Sequence, residues 1–596
     1  MATDFTAPVR HDCGQIVSAS IATREDVPAS LFTSILMRIR PFPNSLSIVC
    51  VVFVAILVLV PIFVLGIPNG ADLPNHYRFV LPFYDSIGAG SWYPGWLAES
   101  NAGYGDSRFR FYPPGLYYGL ALFRTIAGSW YIGSLLTFTL ISIAGGLGLY
   151  LWTRELSTNN VAMWAGILFS LNPYRLNEIY QASLLSEYAA CSVLPFAFAF
   201  TERTVRKGRA SDVAGLACSL ACLVLTHVPL TVIGSLSLLL YSLFRLERPN
   251  LVRTVGKLTA GVALGLVASA FFWSTVIAEL SWIKGNSVNP NLYYDYRVNF
   301  VFSPSALTNR NTWLANILGL VVLAFMAPAI VLLRREHRVK VDKGLKAVFI
   351  LTLVSFLMTT ELSRPIWAIV PKLQEVQFPW RWLAITSMSG CVLLAVSIPK
   401  WQQQRKSDLR PRDLLAPLAL ALSMVFVVGH VFDSIYLGKH EFEAFLPDIR
   451  GAVSFKDWLP VTAREVRYMN KMDDQVDAAS RKVQIDSWQP EHRQFQLSSG
   501  PATDARVRTY FYPLWKASSN GKSLVTQPAD DGALLVQVPA DTTNVELSFQ
   551  EPSRVRVARL VSGIGWILII AAFMFDFIRR LFSRRQLTSE GELTIH

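Results

Sequence analysis

Hydrophobic and polar stretches alternate along this chain with the period of a membrane protein. Apolar runs at or near the roughly 20 residues that carry a helix across a bilayer fall at 46–66, 130–151, 160–173, 187–201, 211–226, 228–244, 255–278, 313–333, 345–361, 378–398, 413–435 and 557–578. Between them lie four sizeable polar segments, 67–112, 174–186, 279–312 and 362–377, and one long polar block, 436–556. The later part of that block alternates with a period of two, as in Leu534-Leu535-Val536-Gln537-Val538 and Val545-Glu546-Leu547-Ser548-Phe549. Turn signals, Asn520-Gly521 and Asp531-Gly532, separate these runs, so the block predicts a small all-β domain held between membrane helices. Segment 67–114 is dense in Pro, Gly, Asn and aromatic residues. It predicts a shaped, turn-rich loop rather than a long regular element, and its aromatic content argues against disorder.

Basic residues orient the pattern. They concentrate in 202–210, 245–257, 334–343 and 400–412, and in the tail after the last run. Lys and Arg gather in cytoplasmic loops, so these five regions predict the inner side. Residues 113–127 are apolar enough to suggest a further span, but counting it would put basic loops on opposite sides. It therefore predicts a helix lying at the outer interface, with Pro114 near its first turn. The organisation expected is a cytoplasmic tail (1–45), a transmembrane module (46–435) with outer loops 67–129 and 279–312, an outward β-domain (436–556) of accessory character, a last helix (557–578) and a second cytoplasmic tail (579–596).

Composition sharpens this picture. The 596 residues are 52% hydrophobic and only 16% charged, against about a quarter charged in soluble domains. The net charge of +13 follows from the positive-inside loops and points to no nucleic acid. Six cysteines lie in the N-terminal tail or in apolar runs, without a CxxC pair. Neither a disulfide framework nor a zinc site is predicted. The first apolar run begins too far from the N-terminus for a cleaved signal and reads as an uncleaved span.

Candidate chemistry sits where spans meet outer loops. Asp72, with His76 four residues on, stands at the start of the first loop beside aromatics, Tyr104 among them, that can stack on a sugar ring. A carboxylate there suits a general base acting on a hydroxyl; the plainer alternative is a helix N-cap. Glu187 opens the fourth span, where a carboxylate is either a dipole partner or functional. Glu279 closes the seventh, where its charge opposes the dipole. Arg381, just inside the span starting at Phe378, is costly there unless it snorkels to the headgroups or holds a charged ligand. His227 lies where two spans meet, and Arg364, Lys372, Lys284 and Arg297 are further outward cations. The aromatic run Tyr510-Phe511-Tyr512-Pro513-Leu514-Trp515 reads as a core strand or as a sugar-contacting strip.

The early loop-one acid, the run GSWYPGWLAESNAGYGDSRFRFYPPGLYY, Thr226-His227-Val228-Pro229, the Glu279 region and Phe378-Pro379-Trp380-Arg381-Trp382 together resemble the GT-C superfamily of membrane glycosyltransferases. Within it they resemble the bacterial membrane proteins labelled 6-pyruvoyl-tetrahydropterin-synthase-related, a label that need not mean pterin chemistry. The resemblance covers roughly residues 46–435. It implies transfer of a sugar from a polyprenyl-phosphate donor to a glycan, lipid or protein acceptor of the cell envelope, generally with inversion. It also implies a multi-pass protein of the bacterial inner membrane, its site and β-domain facing the periplasm or exterior. Asp72, Glu187 and Glu279 would then be the catalytic candidates, and His76, Tyr104, His227, Arg364 and Arg381 the substrate-binding ones. That superfamily usually carries a paired acidic motif in loop one; here Leu73 follows Asp72. No cofactor is predicted with certainty, and a divalent metal stays open. Two other readings remain: a carrier or flippase for polyprenyl-linked glycans, and a non-catalytic scaffold. A carrier would place more charges at mid-membrane than this chain does.

The topology is testable. A cysteine placed at position 520 should react with an impermeant reagent in intact cells, and one at position 408 only after permeabilisation. The reverse pattern overturns the orientation.

Overall fold

The computed structural model describes residues 43–285, 294–304, 310–334, 343–404, 415–450, 458–470 and 472–592. The N-terminal tail with Arg38 and Arg40, and the basic residues of 335–342 and 405–414, lie outside them. Helices cover every predicted apolar run: α1 (Asn44–Leu57), α2 (Val60–Leu65), α5 (Trp130–Leu156), α6 (Asn159–Ser170), α8 (Leu185–Arg206), α9 (Ala210–Thr226), α10 (Val228–Arg245), α11 (Leu251–Ala268), α12 (Ala270–Glu279), α13 (Arg310–Arg334), α14 (Lys343–Leu357), α15 (Leu383–Gln404), α16 (Leu415–Phe432) and α18 (Ser553–Glu592). Between them run α3 (Leu73–Gly88), α4 (Gly115–Ala127), α7 (Pro173–Tyr180) and α17 (Lys439–Ile449). Among the described residues, five helical stretches are long and apolar enough to cross a membrane by length and composition, and four shorter apolar helices accompany them.

Two expected runs are each broken into a pair of helices. Pro61, in the first turn of α2, cannot donate back into α1. At Ser269, between α11 and α12, the hydroxyl bonds back to the Gly265 carbonyl at 2.9 Å, a contact that bends helices.

Loop one departs from the expected irregular form, because its first third is the sixteen-residue α3. The buried positions Leu73, His76, Tyr77, Val80 and Leu81 recur at i, i+3, i+4, i+7 and i+8, one face of a helix. Pro82 inside it leaves the Arg78 carbonyl without its helical donor, and Arg108 Nη1 reaches that carbonyl at 3.5 Å. Segment 113–127 forms α4, about 20 Å long at 1.5 Å per residue, shorter than a bilayer core. It buries Leu116, Tyr117, Leu120 and Ala121 and exposes Leu122 and Ile126.

Among the described residues, ion pairs tie residues of three of the basic loops to neighbouring acids. Glu155, at the end of α5, holds Arg203 at 2.8 Å and Lys207 at 3.0 Å. Glu202 holds Arg245 at 2.5 Å and Glu247 holds Lys343 at 2.9 Å. Asp576 of α18 accepts from the Ser211 amide at 2.8 Å.

The C-terminal block begins with α17, which the period-two reading did not include, and continues as two antiparallel sheets. With β3 (Val476–Asp477), β4 (Val483–Trp488), β5 (His492–Leu497), β6 (Thr503–Tyr510), β7 (Trp515–Ser519), β8 (Lys522–Leu524), β9 (Thr526–Pro528), β10 (Ala533–Val538) and β11 (Asn544–Phe549), the orders are β3-β6-β10-β9 and β4-β5-β11-β7-β8. Inward residues of both sheets, such as Val507, Val536, Phe495 and Leu547, make one core. Asn520 and Gly521 both take positive φ, 47° and 77°, as a two-residue hairpin turn requires. Tyr510, Tyr512 and Trp515 are fully buried, so the aromatic run is core.

This domain is not an appendage to the helical body. Trp96 of loop one packs in its core, 5.8 Å from the Trp515 ring. Gly105 has φ +74°, and a Cβ there would lie 2.2 Å from Trp96 Nε1, so glycine admits the ring. The Tyr104 carbonyl accepts from the Tyr510 amide at 2.8 Å, and Glu491 accepts from the Gly95 amide at 2.7 Å. A short clasp, β1 (Ile67–Pro68) against β2 (Tyr436–Leu437), ties the start of loop one to the chain leaving α16. Gly66, φ +119°, permits it, since a Cβ would meet the Leu437 carbonyl oxygen at 2.1 Å.

The strongest tie is ionic. Arg110 grips Glu279 in two bonds of 2.5 and 2.6 Å and Glu551 in a third of 2.8 Å. Tyr512 and Arg554 add donors to Glu279 at 2.9 and 2.7 Å. Arg110 and Glu279 are both fully buried. Removing one partner of such a pair strands the other charge and typically costs about 3–5 kcal/mol. Glu279→Gln should therefore lower the unfolding midpoint and expose the β-domain junction to protease, with activity falling only as folded protein is lost. Unchanged thermal stability would remove Glu279 from this role.

Candidate functional site

Loop one, α7, the start of α8, the α9–α10 junction and the turn before α15 converge on one charged cluster. Its floor is set by hydrogen bonds between loop one and the turn after α7. The Asp72 amide donates to the Ala182 carbonyl at 3.0 Å, and the Gly70 amide to Ser183 Oγ at 3.0 Å. Asp72 occupies the N-cap position of α3, yet its carboxylate makes no cap bond. It accepts instead from Asn75 Nδ2 at 2.8 Å and stays half-buried, the solvent-facing acid of the group.

His76, one turn on, is enclosed. Its Nε2 accepts from the Leu185 amide at 3.1 Å, which leaves the proton on Nδ1 to bond Tyr117 Oη at 3.0 Å. Burial lowers its pKa from 6.5 to about 4, against the opposing pull of Asp72. Glu187, in the first turn of α8, is held on both oxygens: Tyr174 Oη donates to one at 2.5 Å and Arg381 Nε to the other at 3.1 Å. His227 caps α10 by accepting from the Leu230 amide through Nδ1, and presents Nε2 at 3.8 Å from the same Glu187 oxygen.

Arg381 lies in the 3₁₀ turn Pro379–Trp382 that leads into α15. Its Nη1 donates to the Val376 carbonyl at 2.6 Å, and its guanidinium lies 4.8 Å from the Phe378 ring centre and 5.8 Å from that of Trp380. Nη2 has no hydrogen-bond partner among the described residues. The side chain is thus fixed at two nitrogens and free at the third. A snorkelling arginine would reach the headgroups instead of an internal carboxylate.

Glu178 is a member that sequence reasoning missed. It is fully buried on α7, accepts from Asn177 Nδ2 at 3.4 Å on one oxygen and has no partner on the other. Burial, and then the charge of Glu187, push its pKa well above the ordinary carboxylate range. A signal existed. Tyr174 and Glu178 stand four apart in a short segment between spans, so they share a helix face, but nothing in the sequence said that Glu187 lay opposite.

Other candidates fall elsewhere. Glu279 belongs to the Arg110 clamp. Tyr104 packs on Tyr510, its Oη donating to the Asn470 carbonyl at 3.3 Å. Arg364 pairs with Glu361 at 2.6 Å and with the Arg297 carbonyl at 2.9 Å, away from the cluster. A divalent metal does not fit these residues: both His76 nitrogens are in use, Glu187 is taken by Arg381 and Tyr174, and no group of three or more metal-ligating side chains occurs among the described residues.

The depressed His76 pKa gives a pH signature. The folded protein binds this proton only near pH 4, the unfolded chain near 6.5, so stability rises with pH across that window and is complete above it. Between pH 7 and 5 the loss should be roughly 2 kcal/mol, at 1.36 kcal/mol per unit. His76→Gln should flatten this dependence of the unfolding midpoint. An equal slope in both proteins would contradict the buried neutral imidazole.

With the geometry in place, comparison adds the following. Among solved structures, the mycobacterial arabinofuranosyltransferase AftD superposes with a TM-score of 0.42 at 16% identity, over 66% of this chain and 27% of that one. The Archaeoglobus fulgidus oligosaccharyltransferase gives 0.41 at 13%, over 67% and 57%. ArnT from Cupriavidus metallidurans, bound to undecaprenyl phosphate, gives 0.38 at 14%, over 68% and 74%. The chain thus spans about a quarter of the length of the arabinofuranosyltransferase. No curated protein sequence matches it. The family model described as 6-pyruvoyl-tetrahydropterin synthase related domain, membrane protein, matches residues 109–437. That region includes Glu178, Glu187, His227, Glu279, Arg364 and Arg381, and begins after Asp72, His76 and Tyr104. Because the match takes in more than half of the chain, this protein belongs to the 6-pyruvoyl-tetrahydropterin synthase related family of membrane proteins.

Proposed function

We propose that this protein is a membrane glycosyltransferase that moves a sugar from a polyprenyl-phosphate donor to a cell-envelope acceptor, with its site and β-domain on the outer face. The observation that carries this reading is the pairing of Arg381, anchored but with one nitrogen free, with the half-buried Asp72 in a single cluster between loop one and the helical body. In the reaction proposed, Asp72 takes the proton from the acceptor hydroxyl. The hydroxyl oxygen bonds to the anomeric carbon as the bond from that carbon to the phosphate oxygen breaks. The electron pair leaves with the lipid phosphate, where Arg381 stabilises the added charge more in the transition state than in the ground state. Attack from the face opposite the leaving group inverts the anomeric centre.

The remaining residues hold this pair in place. Glu187 orients Arg381, Tyr174 holds Glu187 by a hydrogen bond, and His227 stands 3.8 Å from it. Burial and the charge of Glu187 both disfavour a second negative charge on Glu178 beside it. The apolar helices supply a surface for the lipid chain, and Phe378 and Trp380 shield the guanidinium from water.

Asp72→Asn keeps size and hydrogen bonding but removes basicity, and loss of a general base typically lowers rate ~10²–10⁴-fold. A deletion strain should lose or truncate an envelope glycan, and the Asn variant should fail to restore it while being made at normal levels. Full restoration refutes Asp72 as the base. In purified protein, a short-chain polyprenyl phosphate should raise the unfolding midpoint of the wild type, less so for Arg381→Lys and not at all for Arg381→Ala. Arg forms two parallel bonds to phosphate where Lys offers a point charge. An equal shift in wild type and the Lys variant removes Arg381 from the phosphate site.

A further inference from the structure

A second cationic centre lies inside the β-domain and takes no part in the site described above. Arg493 of β5 points inward with Phe495 and Leu497 and is fully buried. Its guanidinium carbon sits 4.3 Å from the Trp488 ring centre and 4.9 Å from that of Trp515. The register explains the stack. Arg493 pairs with Trp488 across β4–β5 and with Leu547 across β5–β11, while Trp515 pairs with Phe549 on the far side of β11. All these side chains share the inner face of the five-stranded sheet.

Among the described residues, no carboxylate pairs with this charge. Nε, Nη1 and Nη2 of Arg493 all lack a hydrogen-bond partner, as do the indole N–H groups of Trp515 and of Trp96, the loop-one ring packed beside it. The neighbouring acid Glu546 faces outward, bonded to His492 at 2.8 Å. The nearest charge acting on Arg493 is a like one, Arg508 of β6, which reinforces the effect of burial in lowering the Arg493 pKa to about 9. Arg508 lies against loop one, its Nε 3.5 Å from the Cβ position of Gly103. Aromatic faces satisfy part of a cation's need but accept no conventional hydrogen bonds, and buried donors in folded proteins are almost always paired.

We infer that Arg493, together with the indole N–H groups of Trp96 and Trp515, binds a small monovalent anion of halide size inside the β-domain. Donors without acceptors select an anion over a cation. Complete enclosure selects a small ion over a sugar acid or a phosphate ester. Because Trp96 belongs to loop one, an ion here would also consolidate the joint between the domain and the loop.

The test uses the full-length protein in detergent, titrated with sodium bromide against sodium gluconate at constant ionic strength and pH. The unfolding midpoint of the wild type should rise with bromide and saturate. Arg493→Met, which keeps length without charge, should abolish the saturable rise, whatever its own stability. Trp515→Phe, which removes the indole N–H and keeps an aromatic ring, should shift the half-saturating concentration upward about tenfold, and it carries the test alone should Arg493→Met not fold. Bromide should also give an anomalous peak beside the Arg493 guanidinium in crystals. A wild type indifferent to bromide, or variants that respond with its midpoint and amplitude, would overturn the assignment and leave the donors to water.

Discussion

The bidentate contact between Arg110 and Glu279 is the constraint on which the rest of the molecule depends. It is fully buried, and it joins parts of the chain that no local rule would bring together: the far end of loop one, the end of α12, the β-domain through Tyr512, and the start of α18 through Arg554. Hydrogen-bonded carboxylates hold the guanidinium charged where burial alone would work against it. A buried pair like this contributes little net stability compared with apolar packing, but it penalises every arrangement that separates the partners. Loop one is thereby pinned at its far end, as the β1–β2 clasp pins its near end.

Between those two pins the candidate site is assembled by burial of charge. Three carboxylates, two imidazoles and one guanidinium share a small volume, and they cannot all be ionised. The structure resolves the conflict by environment. Glu187 is matched with Arg381, burial and Glu187 disfavour charge on Glu178, His76 is neutral with both nitrogens engaged, and Asp72 alone remains partly open to water. One acid is therefore left partly open to water while the arginine retains a nitrogen without a partner among the described residues. The division of roles comes from depth and neighbours rather than from residue type.

The same logic separates the two arginine centres. Arg381 is balanced by an acid and lies in the helical body. Arg493 is balanced by aromatic faces alone and lies in a sandwich core. Loop one reaches both, through Asp72 and His76 at one end and Trp96 at the other.

Much of the architecture was legible in the sequence, because it follows from local periodicity. Long apolar runs specify helices, alternation specifies β10 and β11, and Asn520-Gly521 specifies a hairpin turn. The amphipathic spacing from Leu73 to Leu81 was also present, but Pro, Gly and aromatic density drew the reading toward an irregular loop. Asp72, His76, Glu187, His227 and Arg381 were identifiable singly, as charges or imidazoles at the outer ends of spans, and the fold brings all five together. Glu279 carried the same signature as Glu187 and went to a structural clamp, while Glu178, without that signature, joined the cluster. Sequence by itself determined which segments are apolar helix and which are strand, since those choices depend on neighbours a few residues away. Only the tertiary structure decided which buried charges face one another, because the pairing of groups from different elements depends on how those elements pack, and no local pattern encodes that.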